Sequence, residues 1–166
     1  SDHILEATGE LQNRNQVLTK TEHERFKTAE KTFDKPVIIV TQTEAEAKRK
    51  VTSNQSNKTW KFSAKNVRDF GFATSRTFIY DAMAVKTGSA NTMAISVYPP
   101  EANPLWEDYS TRAVAHTLKE YSKYTFDYPY SKAVSVSAAD QGMEYPMICW
   151  NYGRPDKDGN TPDRIK

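Results

Sequence analysis

The sequence has few of the residues that most often build metal, redox and nucleotide sites. Its 166 residues include three histidines, one cysteine and six glycines. The single cysteine, Cys149, excludes an internal disulfide and is expected to be a buried thiol. The turn sequence GSAN at 88–91 lacks the lysine and the second glycine of a phosphate-binding loop. These absences argue against a disulfide-stabilised scaffold and against a nucleotide site of that type.

Long hydrophobic runs and a strong charge of one sign are also missing. No run reaches the ~18 apolar residues that a membrane-spanning helix needs, so we predict no membrane span. The formal net charge is +2 and no basic stripe with interleaved aromatic residues occurs, so we expect no nucleic-acid partner. Hydrophobic residues make up 37% of the chain and the mean hydropathy is -0.76. We therefore expect a thin core.

Two of the histidines lie in patterns that give half of a metal site at most. HERFK at His23 begins like the zinc-protease motif H-E-x-x-H, but Lys27 stands in place of the second histidine. An ammonium group cannot ligate a metal ion, so we interpret this stretch as an exposed helix. His116 and Glu120 are four residues apart and can share one helix face. Two ligands on one helix do not complete a site, and we interpret them as a surface pair.

The clearest element in the sequence is a long helix over about 104–124. Asn103 is its expected N-cap, and Pro104 suits the first helical position. Apolar and small residues recur every fourth position, which predicts one apolar stripe along the helix. These residues are Leu105, Tyr109, Ala113, Thr117 and Tyr121, with Val114 and Leu118 beside them.

Strand patterns surround this helix. KPVIIVTQ is typical of a strand buried on both faces, and the apolar segments on either side of KTGSAN are expected to pair as a hairpin. KAVSVSAA and YPMICWNY follow the helix as two further strands. An earlier helix in LTKTEHERFKTAEK has two candidate capping boxes, Thr19 with Glu22 or Thr21 with Glu24. The sequence thus predicts an α+β fold, a mostly antiparallel sheet with one long helix.

A lone carboxylate stands at the entry of the last strand. The stretch QGMEYP places Glu144 between Met143 and Tyr145. Taken alone, the stretch reads as a β-turn and a strand start with Glu144 in solvent. A functional role would make this carboxylate the anchor for a cationic ligand.

QGMEYP also resembles a motif of a known family, the aminopeptidase N-like (gluzincin) zinc metallopeptidases. Their substrate motif has the form Gly-x-Met-Glu-Asn and follows a helix–strand unit, and in a bacterial branch Tyr-Pro follows the glutamate. RDFGFATS resembles the last strand of the family's N-terminal β domain, and NPLWEDYSTRAVAHTLKEYSKYTFDYPY resembles the first helix of its catalytic domain. The resemblance covers about 59–153 and is strongest over 103–153. Gln141 and Tyr145 depart from the motif, because they stand where it has glycine and asparagine.

The resemblance implies both an organisation and a set of site residues. Residues 1–75 would be the end of the N-terminal β domain with an exposed helix, and 76–166 the first part of a thermolysin-like catalytic domain. Glu144 would bind the N-terminal ammonium group of a peptide substrate. The implied substrate-binding residues are Gln141, Gly142, Met143, Glu144 and Tyr145.

The resemblance also implies what this chain lacks. The family's H-E-x-x-H motif would lie downstream of Gly153, and the sequence ends at Lys166. Zinc would therefore be a cofactor of the parent protein and not of this fragment, which would hold no metal and no catalytic residue and would be inactive alone. We also expect the fragment to self-associate, because its helix stripe would face a missing part of the catalytic domain.

Two other interpretations stay open at the level of the sequence. The first is a non-catalytic β-rich binding module whose aromatic residues, such as Trp106 and Trp150, form a binding face. The second is a pseudo-peptidase that keeps the fold but has lost the zinc ligands. An intact H-E-x-x-H motif downstream would favour the enzyme, and a degenerate motif would favour the pseudo-peptidase. The absence of both would favour the binding module.

Overall fold

A six-stranded mixed sheet organises the chain, which a computed structural model describes over residues 2–50, 57–88, 90–139 and 142–160. The strands are β1 (Ile4–Ala7), β2 (Glu10–Leu11), β3 (Val37–Val40), β4 (Phe62–Ser63), β5 (Phe72–Ser75), β6 (Ile79–Thr87), β7 (Ala90–Tyr98), β8 (Lys132–Ser137), β9 (Met143–Tyr145) and β10 (Ile148–Asn151). The main sheet has the order β3-β6-β7-β8-β10-β9, and β1–β5 and β2–β4 form two small antiparallel sheets beside it.

The helices are α1 (Arg14–Val17), α2 (Lys20–Ala29), α3 (Gln42–Arg49) and α4 (Thr111–Tyr124). A π-helical turn, Trp106–Ser110, leads directly into α4, and together they form one helix of 19 residues. The predicted α+β class is confirmed. The sheet is antiparallel except at β7–β8 and β8–β10, which are parallel.

Local sequence explains how these strands are connected. The predicted hairpin is confirmed as β6–β7, which pair in continuous register from Ile79 opposite Tyr98 to Thr87 opposite Ala90. Because β7 and β8 are parallel, the chain needs a long crossover between them, and α4 supplies it. The capping box of α2 is the Thr19–Glu22 pair, in which each residue binds the backbone N–H of the other, at 3.2 and 2.7 Å.

Most of the apolar stripe on the long helix is not covered by the sheet. Leu105 is buried, but Tyr109 and Tyr121 are 48% and 70% exposed. The buried side chains of α4 are Thr111, Ala115 and Leu118. The physical reason is that residues four apart on an α-helix are offset by about 40° at each step, so five of them wind away from the sheet.

Two smaller expectations are wrong. Asn103 does not cap the helix, since its side-chain amide donates to Gln42 and Glu107 instead. β3 is fully buried only in its second half, where Ile39 and Val40 are 0% exposed, while its first half is partly exposed. The predicted division at residue 75 stays a prediction, although β3, from its first part, pairs with β6, from its second.

The core lies on both faces of the main sheet. The larger cluster lies mainly on the face covered by α2 and by the N-terminal strands, where it includes Ile39, Tyr80 and Ile95, and it continues to the start of the long helix through Tyr98 and Trp106. The smaller cluster lies beneath α4 and consists of Met83, Val85, Ala94, Ala115 and Leu118. Consequently α4 is held on the sheet by a small apolar contact at its centre.

A buried carboxylate fixes the start of α4 to the sheet. Asp81, in β6, accepts a 2.6 Å hydrogen bond from the Tyr98 hydroxyl and another from the Thr111 hydroxyl. The Thr111 hydroxyl also lies 2.7 Å from that of Ser96, which is 2.8 Å from that of Ser110. Burial raises the pKa of Asp81 to about 7, since little water is left to solvate its charge.

Asp81 should make the stability of the fold depend on pH. Between about pH 4 and 7 the folded protein binds a proton that the unfolded chain releases, so the free energy of unfolding should fall as pH rises through this range. Asp81→Asn should remove that part of the slope in urea unfolding measured at several pH values. The control Asp69→Asn changes an exposed carboxylate and should keep the slope. Equal slopes in the wild type and in Asp81→Asn would contradict the role given to Asp81.

Candidate functional site

The predicted site residues form the outermost strand of the main sheet. β9 pairs with β10 along one edge, and within the described residues no strand covers its other edge. Gly142 directly precedes β9 with φ +106, and a Cβ built there would meet no heavy atom within 4 Å. Gln141 lies outside the described residues. The backbone of β9 can therefore pair with an extended ligand on its open side.

Glu144 lies at the end of a row of polar residues that crosses the sheet. The strand register places Asp81, Ser96, Ser135, Cys149 and Glu144 side by side across β6, β7, β8, β10 and β9. Directly opposed residues project from the same face, which is the face covered by α4. The row changes from a buried carboxylate at one end to an exposed one at the other.

The Glu144 side chain is exposed and has no hydrogen bond or ion pair with any residue that the structure describes. Its carboxylate therefore keeps its acceptor positions for a ligand. It also acts on its neighbour, since burial first, and then the Glu144 charge, raise the pKa of the Cys149 thiol. The Cys149 thiol is consequently neutral at pH 7 and a poor nucleophile.

Met143 and Tyr145 project from the opposite face of β9 to Glu144. Tyr145 packs edge-on against Trp150 with 5.6 Å between the ring centroids. Gly71 lies against both rings, and a Cβ there would come within 2.8 Å of Trp150. Tyr145 is thus part of the packing that holds β9, whereas Met143 is 50% exposed and accessible to a ligand.

An apolar groove runs beside Glu144, between α4 and the strands β8 and β10. This α4 groove has a volume of about 530 Å³. Its helix wall carries the side chains that the sequence assigned to the apolar stripe, and Phe126 and Tyr152 extend it. The sequence pattern identified these residues as a group, and the expectation that they face a missing part of a larger protein stays a prediction.

The floor of the α4 groove is polar and internally satisfied. The Asn151 side-chain amide donates to the Ser135 hydroxyl at 2.8 Å and to the Cys149 sulfur at 3.3 Å. The Cys149 thiol in turn donates to the backbone carbonyl of Val134 at 3.5 Å. These bonds occupy the Asn151 amide nitrogen and the Cys149 thiol, and the rest of the lining is mainly apolar, so the groove favours an apolar ligand.

The histidine patterns do not develop into metal sites. Within residues 2–50, 57–88, 90–139 and 142–160, no three His, Cys, Asp or Glu side chains come close enough to hold a metal ion. Glu24 pairs with Lys27 at 3.0 Å, and Glu120 pairs with Lys123 at 2.6 Å. Both acids thus take part in local ion pairs on the helix surface.

Comparisons with family descriptions, curated proteins and solved structures find no match to this chain. In the described part of the chain, no helix is long and apolar enough to cross a membrane. A function has to be inferred from the residues themselves, chiefly from β9, Glu144 and the α4 groove.

The α4 groove should cause self-association of the isolated chain. Tyr121 and Phe126, 70% and 71% exposed, would be covered in a dimer. The double substitution Tyr121→Glu and Phe126→Glu should weaken association about tenfold or more in sedimentation equilibrium. Tyr124→Glu is the matched control, because Tyr124 is 83% exposed but does not line the groove. A monomeric wild type at high concentration would contradict this prediction.

Proposed function

We propose that this chain is the substrate-recognition part of a zinc-dependent aminopeptidase-like metallopeptidase that hydrolyses N-terminal peptide bonds. The observation that carries the proposal is Glu144, an exposed carboxylate on the open edge strand β9 with no partner among the described residues. The family resemblance of QGMEYP supplies the reaction class, and the geometry of β9 supports the role of the motif.

A free peptide N-terminus is a compact cation with three hydrogen-bond donors, and a fixed carboxylate is its direct complement. A charge-assisted hydrogen bond of this kind contributes roughly 1.5–3 kcal/mol. Blocked termini and internal peptide bonds lack the charge and would lose this contribution. Glu144 would therefore direct the enzyme to the first residue of a peptide.

The surroundings of Glu144 suit an extended peptide. The open edge of β9 can add the substrate backbone as a further strand, as in β-augmentation. Gly142 has no side chain to keep the peptide away, and the space around its Cα is open. Met143, half exposed, would offer an adaptable wall to a substrate side chain.

The catalytic metal would belong to another part of the parent protein. The described residues offer no set of zinc ligands, so we derive no catalytic step from this chain. In the proposed parent, zinc would activate the water that attacks the amide bond. The uncovered α4 groove supports the idea of a larger protein, because apolar surface of this size is usually covered by a partner or a further segment.

Of the two alternatives, the binding module loses part of its support. Trp106, one of its proposed binding aromatics, is 4% exposed and donates from Nε1 to the Gly153 carbonyl at 2.5 Å. Trp150 is packed against Tyr145 and Gly71. The pseudo-peptidase stays open as an alternative, and an intact H-E-x-x-H motif in the proposed parent protein would favour the enzyme over it.

The isolated chain should bind no zinc stoichiometrically and should have no peptidase activity. The reason is that its histidines do not come together with other ligands in the described residues. Equilibrium dialysis against zinc, followed by an assay with an unblocked peptide, checks both expectations. One tightly bound zinc per chain would overturn the assignment of the metal site to the parent protein.

In the parent protein, Glu144→Gln should keep the side-chain shape and remove the charge. The expected loss in kcat/KM is about ten- to a hundred-and-fifty-fold on a peptide with a free amino terminus, the equivalent of roughly 1.5–3 kcal/mol. Part of the loss should appear in KM, because the ammonium group is present in both the ground and the transition state.

An N-acetylated peptide of the same sequence is the control substrate. The wild type should strongly prefer the free peptide, and Glu144→Gln should lose most of that preference while its zinc content stays the same. Equal proportional losses on both substrates, or a drop in bound zinc, would instead mean that Glu144 supports the fold or the metal.

A further inference from the structure

A second cavity lies on the other face of the main sheet, away from Glu144 and the α4 groove. Its volume is about 320 Å³, and it is bounded by β1, β2, α1, α2 and the central strands. Three polar side chains at its wall, Glu6, Tyr80 and Lys132, are each more than nine-tenths buried. Buried charges are rare and require partners, so their meeting at a cavity is informative.

The Lys132 ammonium group has unused hydrogen-bonding capacity. It donates to Oε2 of Glu6 at 2.6 Å, while Oε1 of Glu6 accepts from the Tyr80 hydroxyl at 2.6 Å. Its remaining close contact is the face of the Phe62 ring, 5.0 Å from the ring centroid. An ammonium group carries three donors, and the described residues accept one of them. The others need acceptors from inside the cavity.

A second cation lies at the same cavity. Arg14 pairs with Glu30 through one nitrogen at 2.7 Å, and its guanidinium group stacks 3.8 Å above the Phe26 ring. The guanidinium fork has five donors, so most of them remain for a ligand. Phe26 contacts the Tyr80 ring edge-on at 6.0 Å between centroids, which connects Arg14 to the buried Glu6–Lys132 pair.

The balance of charges in the lining selects the ligand. Two cations, Arg14 and Lys132, and three carboxylates, those of Glu6, Glu10 and Glu30, line the cavity. A purely anionic ligand would be repelled by the three carboxylates, and a purely cationic ligand would be repelled by the two cations. A zwitterion presents both signs and can pair with both sets.

The rest of the lining is mostly apolar and includes Leu11, Leu18 and Trp60, with Asn91 and Ser131 as further polar members. We propose that this cavity binds a free α-amino acid with an apolar side chain. The α-carboxylate accepts from Lys132 and Arg14, the α-ammonium group donates to Glu6 or Glu10, and the side chain packs on Trp60. This site is separate from the peptide-binding role of Glu144 and does not depend on it.

Three probes with the same side chain test the charge pattern on the unmodified protein: L-leucine, N-acetyl-L-leucine, which lacks the ammonium charge, and L-leucinamide, which lacks the carboxylate charge. Calorimetric titration should give saturable binding of L-leucine. Removal of either charge should weaken binding about tenfold or more. Leucine should also shift the indole N–H signal of Trp60 in NMR spectra, a signal that Trp60→Phe identifies by its loss.

Arg14→Gln should weaken leucine binding about tenfold, because it removes one cation from the partly exposed wall without leaving a buried charge unpaired. Arg112→Gln is the matched control, since Arg112 is exposed on α4 at the opposite face of the sheet, and it should leave binding unchanged. Lys132 is not a useful test position, because its removal leaves Glu6 buried without its counter-ion.

The outcomes that overturn the proposal are distinct. Absence of saturable leucine binding means that the cavity holds only solvent. Binding of N-acetyl-leucine as tight as that of leucine means an anion site, and equal binding of leucinamide means a cation site. A Trp60 signal that does not shift, or equal effects of Arg14→Gln and Arg112→Gln, places the bound leucine elsewhere.

Discussion

The buried Asp81 determines where the other features of this protein lie. Its hydrogen bonds from Tyr98 and Thr111 tie the hairpin β6–β7 to the start of α4. Because α4 is the crossover to β8, its placement fixes where β8 joins the sheet, and β10 and β9 follow from β8. The open edge with Glu144 and the α4 groove thus both depend on how one buried carboxyl group anchors α4.

The two faces of the sheet carry different chemistry. On the α4 face, small polar residues at the centre of the row let the helix approach β7, and the apolar residues of α4 continue past it into an open groove. On the other face, the N-terminal strands bring charged side chains into an otherwise apolar core. The composition alone does not predict the apolar groove on one face or the buried charges on the other, because the strands and the helix each mix apolar and polar residues.

Local signals in the sequence predicted the helices and strands themselves better than they predicted what packs against each of them. The β6–β7 hairpin and the long helix follow from neighbouring residues alone, and so does the presence of a capping box at α2, although the sequence left two candidates for it. The edge position of β3 and the exposure of Tyr121 depend on what packs against them, which a local pattern does not contain. For the site, the sequence selected Glu144, but the neighbouring groove and the Glu6–Lys132 pair depend on contacts between residues far apart in the chain.

The Glu6–Lys132 pair joins residues 126 positions apart. During synthesis, Glu6 leaves the ribosome long before its counter-ion, and at typical elongation rates the delay is roughly ten seconds. Until Lys132 arrives, burying Glu6 would place an unpaired carboxylate in the core, which is strongly unfavourable. Burial of β1 is therefore unfavourable until β8 has been synthesised, and we expect this face of the sheet to close after α2 and the β6–β7 hairpin have formed.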